Sequence, residues 1–345
     1  MTHEYNTHDT RDARRTTSDT ALGRRPRPDG GAETGDGRRA DGGVDASPEP
    51  PVVVKIGGAR AVNPADAIDD VASLVDSGRA VVVVHGGSTA VDDTLEALGE
   101  EPTYVETPDG VVGRFTDERT MEVFSMVLPG KLNTDLTTAL RGAGVDAVGL
   151  SGVDGGLLTG PRKSAVRIVE DGKKKIKRGD HSGKITEVNA GLLSTLLDDG
   201  YTPVVTVPML ADDGVAVNAD ADRAAAAVAG AIGAALVVLT DVEGVYADPD
   251  DPSTLIGSVT TPEEFDGLKS AANGFMRKKV MAAEEALNTG APTVVVASAN
   301  ADAPITGALD GGGTHVAADA VAVEADDESA DRDDPTDTED TEATG

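Results

Sequence analysis

The stretch Val52-Val-Val-Lys-Ile-Gly-Gly-Ala59 is an apolar run that meets a lysine and ends in two glycines. Such a pattern reads as a buried strand that delivers a cation and bare backbone N–H groups to its carboxyl end, where α/β sheets bind ligands. An unpaired buried lysine is costly, so Lys55 is expected to have a chemical role. Ala80-Val-Val-Val-Val-His-Gly-Gly87 repeats the plan. Side by side, the two strand ends would surround a phosphoryl group with backbone donors. Taken singly, each stretch is also an ordinary tight strand-to-helix turn.

Outward from this pair, apolar strand patterns recur at 52–56, 80–84, 145–150, 203–207, 235–240 and 293–297. Helical patterns lie between them at 64–77, 88–98, 117–141, 187–199, 220–233 and 275–289. The alternation predicts an α/β fold, a three-layer open and mainly parallel sheet with helices on both faces. Positions 160–186 interrupt it: Arg162 to Val169 reads as a strand, Glu170-Asp171-Gly172 as a hairpin turn and Lys173 to Arg178 as the return strand. Residues 1–50 lack apolar periodicity, and Asp and Glu dominate from about Ala317 to Gly345. Neither segment can bury enough surface to offset the entropy of ordering, so both are expected to be disordered.

The 345 residues carry 61 acidic and 30 basic side chains, a formal charge of −31, which argues against general nucleic-acid affinity. Acid excess with 2% aromatics resembles proteins of a high-salt cytoplasm. There is no cysteine, so disulfide and thiolate chemistry are excluded, and the five histidines are scattered without metal-ligand spacing. No run reaches the roughly 18 apolar residues of a membrane span. Arg14-Arg15 and Arg24-Arg25 are not followed by a hydrophobic segment, and the expected location is the cytoplasm.

Gly179-Asp-His-Ser-Gly183-Lys184-Ile185 is too short between its glycines for a P-loop and lacks the following Ser or Thr. No strand leads into G-x-G-x-x-G. Other residues must therefore hold the phosphates. Asn218, Asp220 and Asp222 crowd the start of an Ala-rich helix, one more polar group than capping requires. Leu236 to Thr240 runs into Asp241-Val-Glu-Gly244-Val-Tyr246, a polar loop suited to a base and ribose. Gly274-Phe-Met-Arg277-Lys278-Lys279 opens a helix with three cations where the helix dipole favours acids, which implies an anionic ligand.

Together, Lys55-Ile-Gly-Gly58, His85-Gly-Gly87, Gly113-Arg114-Phe-Thr116-Asp117, Asn218 four before Asp222, Leu239-Thr240-Asp241-Val242-x-Gly244-Val245 and Gly274-x-x-x-Lys278 resemble the amino-acid kinase superfamily, in its acetylglutamate-kinase branch, across 52–316. The resemblance implies a substrate lobe over 51–210, an ATP-binding lobe over 211–316, ATP as co-substrate with Mg2+, and a homodimer. It implies that Lys55 and Lys278 neutralise the transferring phosphoryl group and its leaving oxygen, with Asp222 orienting both. Gly57, Gly58, Thr240, Asp241, Gly244 and Tyr246 would bind ATP. Arg114, Asn218, Gly86, Gly87 and Ser88 would bind the substrate, with Ser88 standing where a third glycine is usual and narrowing the space for an acyl group. A carboxylate nucleophile needs no general base, in keeping with the lack of a candidate His or Cys.

The basic hairpin, with Lys173, Lys174, Lys175, Lys177 and Arg178, stands out on an acidic chain. It is readable as a lysine-protected strand edge or as a docking surface for an acidic partner. With Gly113 to Asp117 it resembles the enzymes that phosphorylate aminoadipate or glutamate while the amino group is attached to the small acidic carrier protein LysW. N-acetylglutamate phosphorylation and a non-catalytic nucleotide or amino-acid sensor are the alternative readings. Retention of both lysines with Asp222 weighs against the sensor.

Overall fold

The computed structural model describes residues 49–57, 64–108, 110, 112–170 and 172–321. In chain order they form β1 (Val52–Ile56), α1 (Pro64–Asp76), β2 (Val81–His85), α2 (Ser88–Ala97), β3 (Tyr104–Glu106), β4 (Val112–Arg114), α3 (Glu118–Ser125), α4 (Asn133–Gly142), β5 (Ala147–Gly152) and β6 (Leu158–Gly160). The basic hairpin follows as β7 (Arg162–Glu170) and β8 (Lys173–Gly183), then β9 (Glu187–Val188), α5 (Ala190–Asp198), β10 (Thr202–Ala211) and β11 (Ala216–Val217). The rest comprises α6 (Ala221–Ile232), β12 (Ala235–Thr240), β13 (Ser258–Val259), α7 (Pro262–Ala271), α8 (Gly274–Asn288), β14 (Thr293–Ser298), α9 (Thr306–Leu309) and β15 (Thr314–Ala317).

The main sheet has 11 strands in the order β13-β15-β14-β12-β1-β2-β10-β6-β9, with β5 and β11 also on β10. The pairs β14–β12, β12–β1, β1–β2 and β2–β10 are all parallel, as the alternation predicts. All five residues of β1 are buried, because both faces of the sheet are covered. Val53 faces a core built with α2, α3, α5, α6 and α8, while Val52, Val54 and Ile56 face α1, α4 and α9. Each such valine contributes roughly 1.5–3 kcal/mol. The near absence of aromatics is compensated by close approach. Ala224, Ala225, Ala226 and Ala229 of α6 are almost fully buried, and a Cβ on Gly230 would lie 2.0 Å from Thr289 Oγ1 just beyond α8.

Three departures from the sequence reading have local causes. The pattern at 117–141 is not one helix: α3 and α4 are joined by a π-helical segment, Met126–Leu132, containing Pro129. Proline has no N–H to give and its ring crowds the carbonyl four residues back, so a wider turn relieves the conflict. At 187–199 the first two residues pair with β6 as β9, and Asn189 then caps α5 by accepting from Leu192 N. Finally, β15 runs to Ala317 and a short 3-10 turn follows, with Val316 and Ala320 buried, so packed structure extends a few residues past Ala317. The expected disordered leader and tail lie outside the described residues, apart from Glu49, Pro50 and 317–321. Among the described residues no helix is long and apolar enough to cross a membrane.

A second sheet, β4-β3-β7-β8, is wholly antiparallel in its pairings and carries the hairpin. The strands β3 and β4 are three residues each, too short to show a period in sequence. On the opposite side, buried Asp70 of α1 accepts from Ile305 N at 2.7 Å and Thr306 N at 2.8 Å, and from Thr306 Oγ1. It caps α9, which has no side-chain cap of its own. Asp70→Ala should therefore lower unfolding free energy by about 2–4 kcal/mol, the cost of stranding buried N–H groups. Urea denaturation checks this, and a loss below the error of the extrapolation would contradict the capping role.

Candidate active site

The carboxyl ends of β1, β2 and β12 lie side by side, with Lys55 in register with Val84 on one neighbour and Val238 on the other. Gly57 follows β1, half-buried; Gly58 lies outside the described residues. At the end of β2, Gly86 is closely surrounded and Gly87 has a side chain's space already filled. A Cβ at Gly86 would meet Ala221 Cβ at 3.2 Å, and one at Gly87 would fall 2.2 Å from Leu132 Cδ1 and 2.6 Å from Leu128 Cδ2. The π segment thus packs on the turn that opens α2. Neither α2 nor α8 has a side-chain cap at its N-terminus, where Gly87 and Asn273 occupy the cap positions. Both leave first-turn N–H groups for an anion.

Lys55, on the sheet face covered by α6, is 6% exposed and approaches Asp222 Oδ1 at 2.5 Å. The second cation on Asp222 is Lys279, whose Nζ lies 3.5 Å from Oδ2 and whose side chain is 13% exposed. Lys278, expected in this role, donates instead to the Val112 carbonyl at 3.1 Å. The physical reason is helical geometry: adjacent residues point about 100° apart, so one of the two lysines faces Asp222 and the other cannot. Burial pushes the Asp222 carboxyl up, but the charges of Lys55 and Lys279 and their hydrogen bonds outweigh it, leaving it below the ordinary aspartate value. Burial, reinforced by the like charge of Lys55, holds Lys279 below the usual lysine range against the pull of Asp222. Asp220 is the helix cap, its Oδ1 accepting from Asp222 N at 2.9 Å and Arg223 N at 3.2 Å, so Asp222 is the acid left for the lysines.

Arg114 is anchored at the mouth of α2. Its Nη1 donates to Asp92 Oδ1 at 2.5 Å, and Nη2 to Ser88 Oγ at 2.8 Å, Ser88 O at 3.1 Å and Tyr104 Oη at 2.8 Å. Ser88 therefore supplies an acceptor that a third glycine would lack. Asp92 and Tyr104 belong to no motif of the sequence; Asp92 sits one helical turn after Ser88, a spacing that puts the two on one face. Asn218 donates from Nδ2 to Thr116 Oγ1 at 3.0 Å, from its N–H to His181 O at 2.8 Å, and accepts from Gly183 N at 2.8 Å. It ties the base of the hairpin to the segment that carries Arg114. In the expected nucleotide segment, Thr240 Oγ1 donates to Asp241 Oδ1 at 3.0 Å, and Tyr246 pairs with Leu255. A Cβ on Gly244 would lie 2.6 Å from Thr314 Oγ1.

The five basic residues of the hairpin do not share one face. Lys173, Lys175 and Lys177 alternate with Lys174, Ile176 and Arg178 along β8. Lys175 pairs with Glu170, and Lys177 Nζ lies 4.1 Å from the Phe115 ring centre. Ile176 is 64% exposed, opposite Arg167 in register, beside a cleft of about 250 Å³ lined by Arg167, Lys174, Lys175 and Ile176.

The Asp222 pair has a pH signature. A depressed carboxyl value adds stability that is present in full above about pH 3.9, the ordinary value, and is lost as pH falls from there through the lower folded-state value. Asp222→Asn should cost about 3 kcal/mol at neutral pH, leaving two buried cations without their acid. Its stability curve should converge on that of the parent protein in acid. Urea titrations across pH check this; parallel curves would remove the ion pair as the cause.

The profile of the Amino acid kinase family matches residues 50–298. The chain is 43% identical over 267 residues to the [LysW]-aminoadipate kinase of Thermus thermophilus, covering 77% of this chain and 99% of that one. It is 41% identical over 267 residues to the acetylglutamate kinase of Methanopyrus kandleri, covering 76% and 99%. Among solved structures, N-acetylglutamate synthase from Neisseria gonorrhoeae superposes with a TM-score of 0.62 at 26% identity, over 78% of this chain and 59% of that one. A family match across most of the ordered chain, with two buried lysines on one aspartate at the strand ends, means that this chain belongs to the amino acid kinase family.

Proposed function

We propose that the chain transfers the γ-phosphoryl group of ATP to the side-chain carboxylate of aminoadipate or glutamate whose amino group is carried on LysW, giving an acyl phosphate for lysine or arginine biosynthesis. The observation that carries the chemistry is the Lys55–Asp222–Lys279 centre beside two uncapped helix N-termini. Phosphoryl transfer needs positioning and charge neutralisation more than covalent help, and these groups supply both. A carboxylate oxygen forms the new bond to the γ-phosphorus as the bond to the bridging oxygen breaks, and that oxygen leaves on ADP. No proton moves. Lys55 and Lys279 take the charge that develops on the transferring group and the leaving oxygen, with Asp222 fixing their separation. Mg2+ would enter on the nucleotide phosphates, its ordinary mode in such sites. Thr240, Asp241, Gly244 and Tyr246 would border the nucleotide, and Arg114 with Asn218 the substrate.

The choice of a carrier-linked substrate is supported by the 43% identity to the Thermus protein and by the exposed basic hairpin on a chain of charge −31. Acetylglutamate is the second reading, favoured by the Methanopyrus relative.

Hydroxylamine trapping tests the reaction, since an acyl phosphate yields a hydroxamate. Lys279→Met should cut turnover by at least roughly a hundredfold, the scale of losing one transition-state donor. If Lys279→Met keeps most of the turnover, the phosphoryl assignment fails; if no carboxylate acceptor yields a hydroxamate, the kinase reading fails.

Carrier docking is tested separately by reversing Lys174 and Arg178 to Glu on the face bearing Ile176. The Michaelis constant for LysW-linked substrate should rise about tenfold, with free acetylglutamate unaffected. An equal response of both substrates would place the charges in folding or catalysis instead.

A further inference from the structure

Lys278 and Lys279 are neighbours on α8 with different destinations. Lys279 turns to Asp222, and Lys278 reaches out of its helix to a backbone carbonyl 166 residues away in sequence. That carbonyl belongs to Val112, the first residue of β4, which is the end strand of the small sheet. Two residues on along the same short strand is Arg114, with its guanidinium held on Ser88, Asp92 and Tyr104. The contact therefore joins the helix that carries one half of the phosphoryl centre to the strand that carries the proposed carboxylate clamp.

The surroundings of Lys278 fit a mechanical role. Its Nζ lies 5.9 Å from the centre of the Phe275 ring, one turn earlier on α8, and Phe275 is 84% exposed. Val112 is 53% exposed. Met276, between Phe275 and Lys278 in sequence, packs against the core and fixes the start of the helix. One side of the first turns of α8 is thus anchored, and the other extends the Lys278 cation to β4 with an exposed aromatic ring beside it. Among the described residues no carboxylate pairs with Lys278; the acceptor is a main-chain oxygen on an end strand, where lysines commonly blunt open pairing groups.

We propose that Lys278 is a positioning residue that latches β4 to α8, so that filling the nucleotide side and filling the carboxylate side favour each other. This deepens the phosphotransfer reading and rests on it for the identity of the two ligands. A contact that bridges two binding elements contributes a coupling that is reciprocal: whatever nucleotide does to acceptor affinity, acceptor does to nucleotide affinity. The latch does not touch the reacting atoms. Its loss should appear in the acceptor Michaelis constant and in the coupling, rather than in turnover.

The experiment uses the full chain with Lys278→Met, which keeps the stem and removes the donor, and Lys278→Arg, which restores N–H donors. Affinity for a non-hydrolysable ATP analogue is measured by calorimetry with and without acetylglutamate, and kinetics with both substrates are run in parallel. In Lys278→Met the acceptor Michaelis constant should rise roughly five- to tenfold, the scale of one partly exposed charged hydrogen bond. The factor by which acetylglutamate tightens nucleotide binding should fall toward one, and Lys278→Arg should recover much of both. A fall in turnover with unchanged coupling would instead place Lys278 on the phosphates and overturn the latch. So would unchanged values throughout, with an unaltered thermal midpoint showing that the variant is folded. If the parent protein yields no hydroxamate, the phosphotransfer reading fails on its own, because the binding arm still reads the coupling without turnover.

Discussion

Two cations on one buried carboxylate set the terms for the site. Lys55 and Lys279 repel each other, and Asp222 between them makes their proximity tolerable. Holding that arrangement requires three elements to converge within a few ångströms: the middle of the sheet, the start of α6 and the start of α8. The alanines of α6 and the absence of a side chain at Gly230 let α6 lie close to both neighbours. Larger residues there would widen the gap and pull Lys279 from its acid. The alanine-rich composition is therefore part of the electrostatics, because it sets the distance over which the charges act.

The architecture was legible in the sequence where both faces of an element are buried. The strand at 235–240 and the helix beginning near 275 match β12 and α8 closely, because apolar runs and their periods follow directly from burial. Features that depend on partners far away in sequence were not legible. The short strands β3 and β4 owe their existence to the hairpin beside them, and the π segment answers a conflict at Pro129 that a helical pattern does not record.

The site was legible in type and blurred in detail. That a lysine near 278 belongs with Lys55 follows from the cationic helix start; which one follows only from the apolar stripe of α8. Met276, Val280 and Ala283 face inward, and Lys279 adjoins that stripe while Lys278 stands off it. The stripe was present in the sequence as the signal that separates the two. Arg114 was visible as a cation in a polar segment, but its partner Asp92 lies on a different element. Asn218 ties the hairpin base to the Arg114 segment through contacts 102 residues apart, beyond any local pattern.

The turn after β2 has a consequence for how such motifs are read across descendants of one ancestor. Gly87 has no room for a side chain because Leu128 and Leu132 fill the space, whatever its N–H binds. A lineage that abandoned catalysis while keeping this packing would still be held to glycine there. The lysines carry no comparable protection, because removing one relieves a repulsion. Loss of function would be recorded first in the cations, with the glycine persisting long afterwards as a relic of the fold.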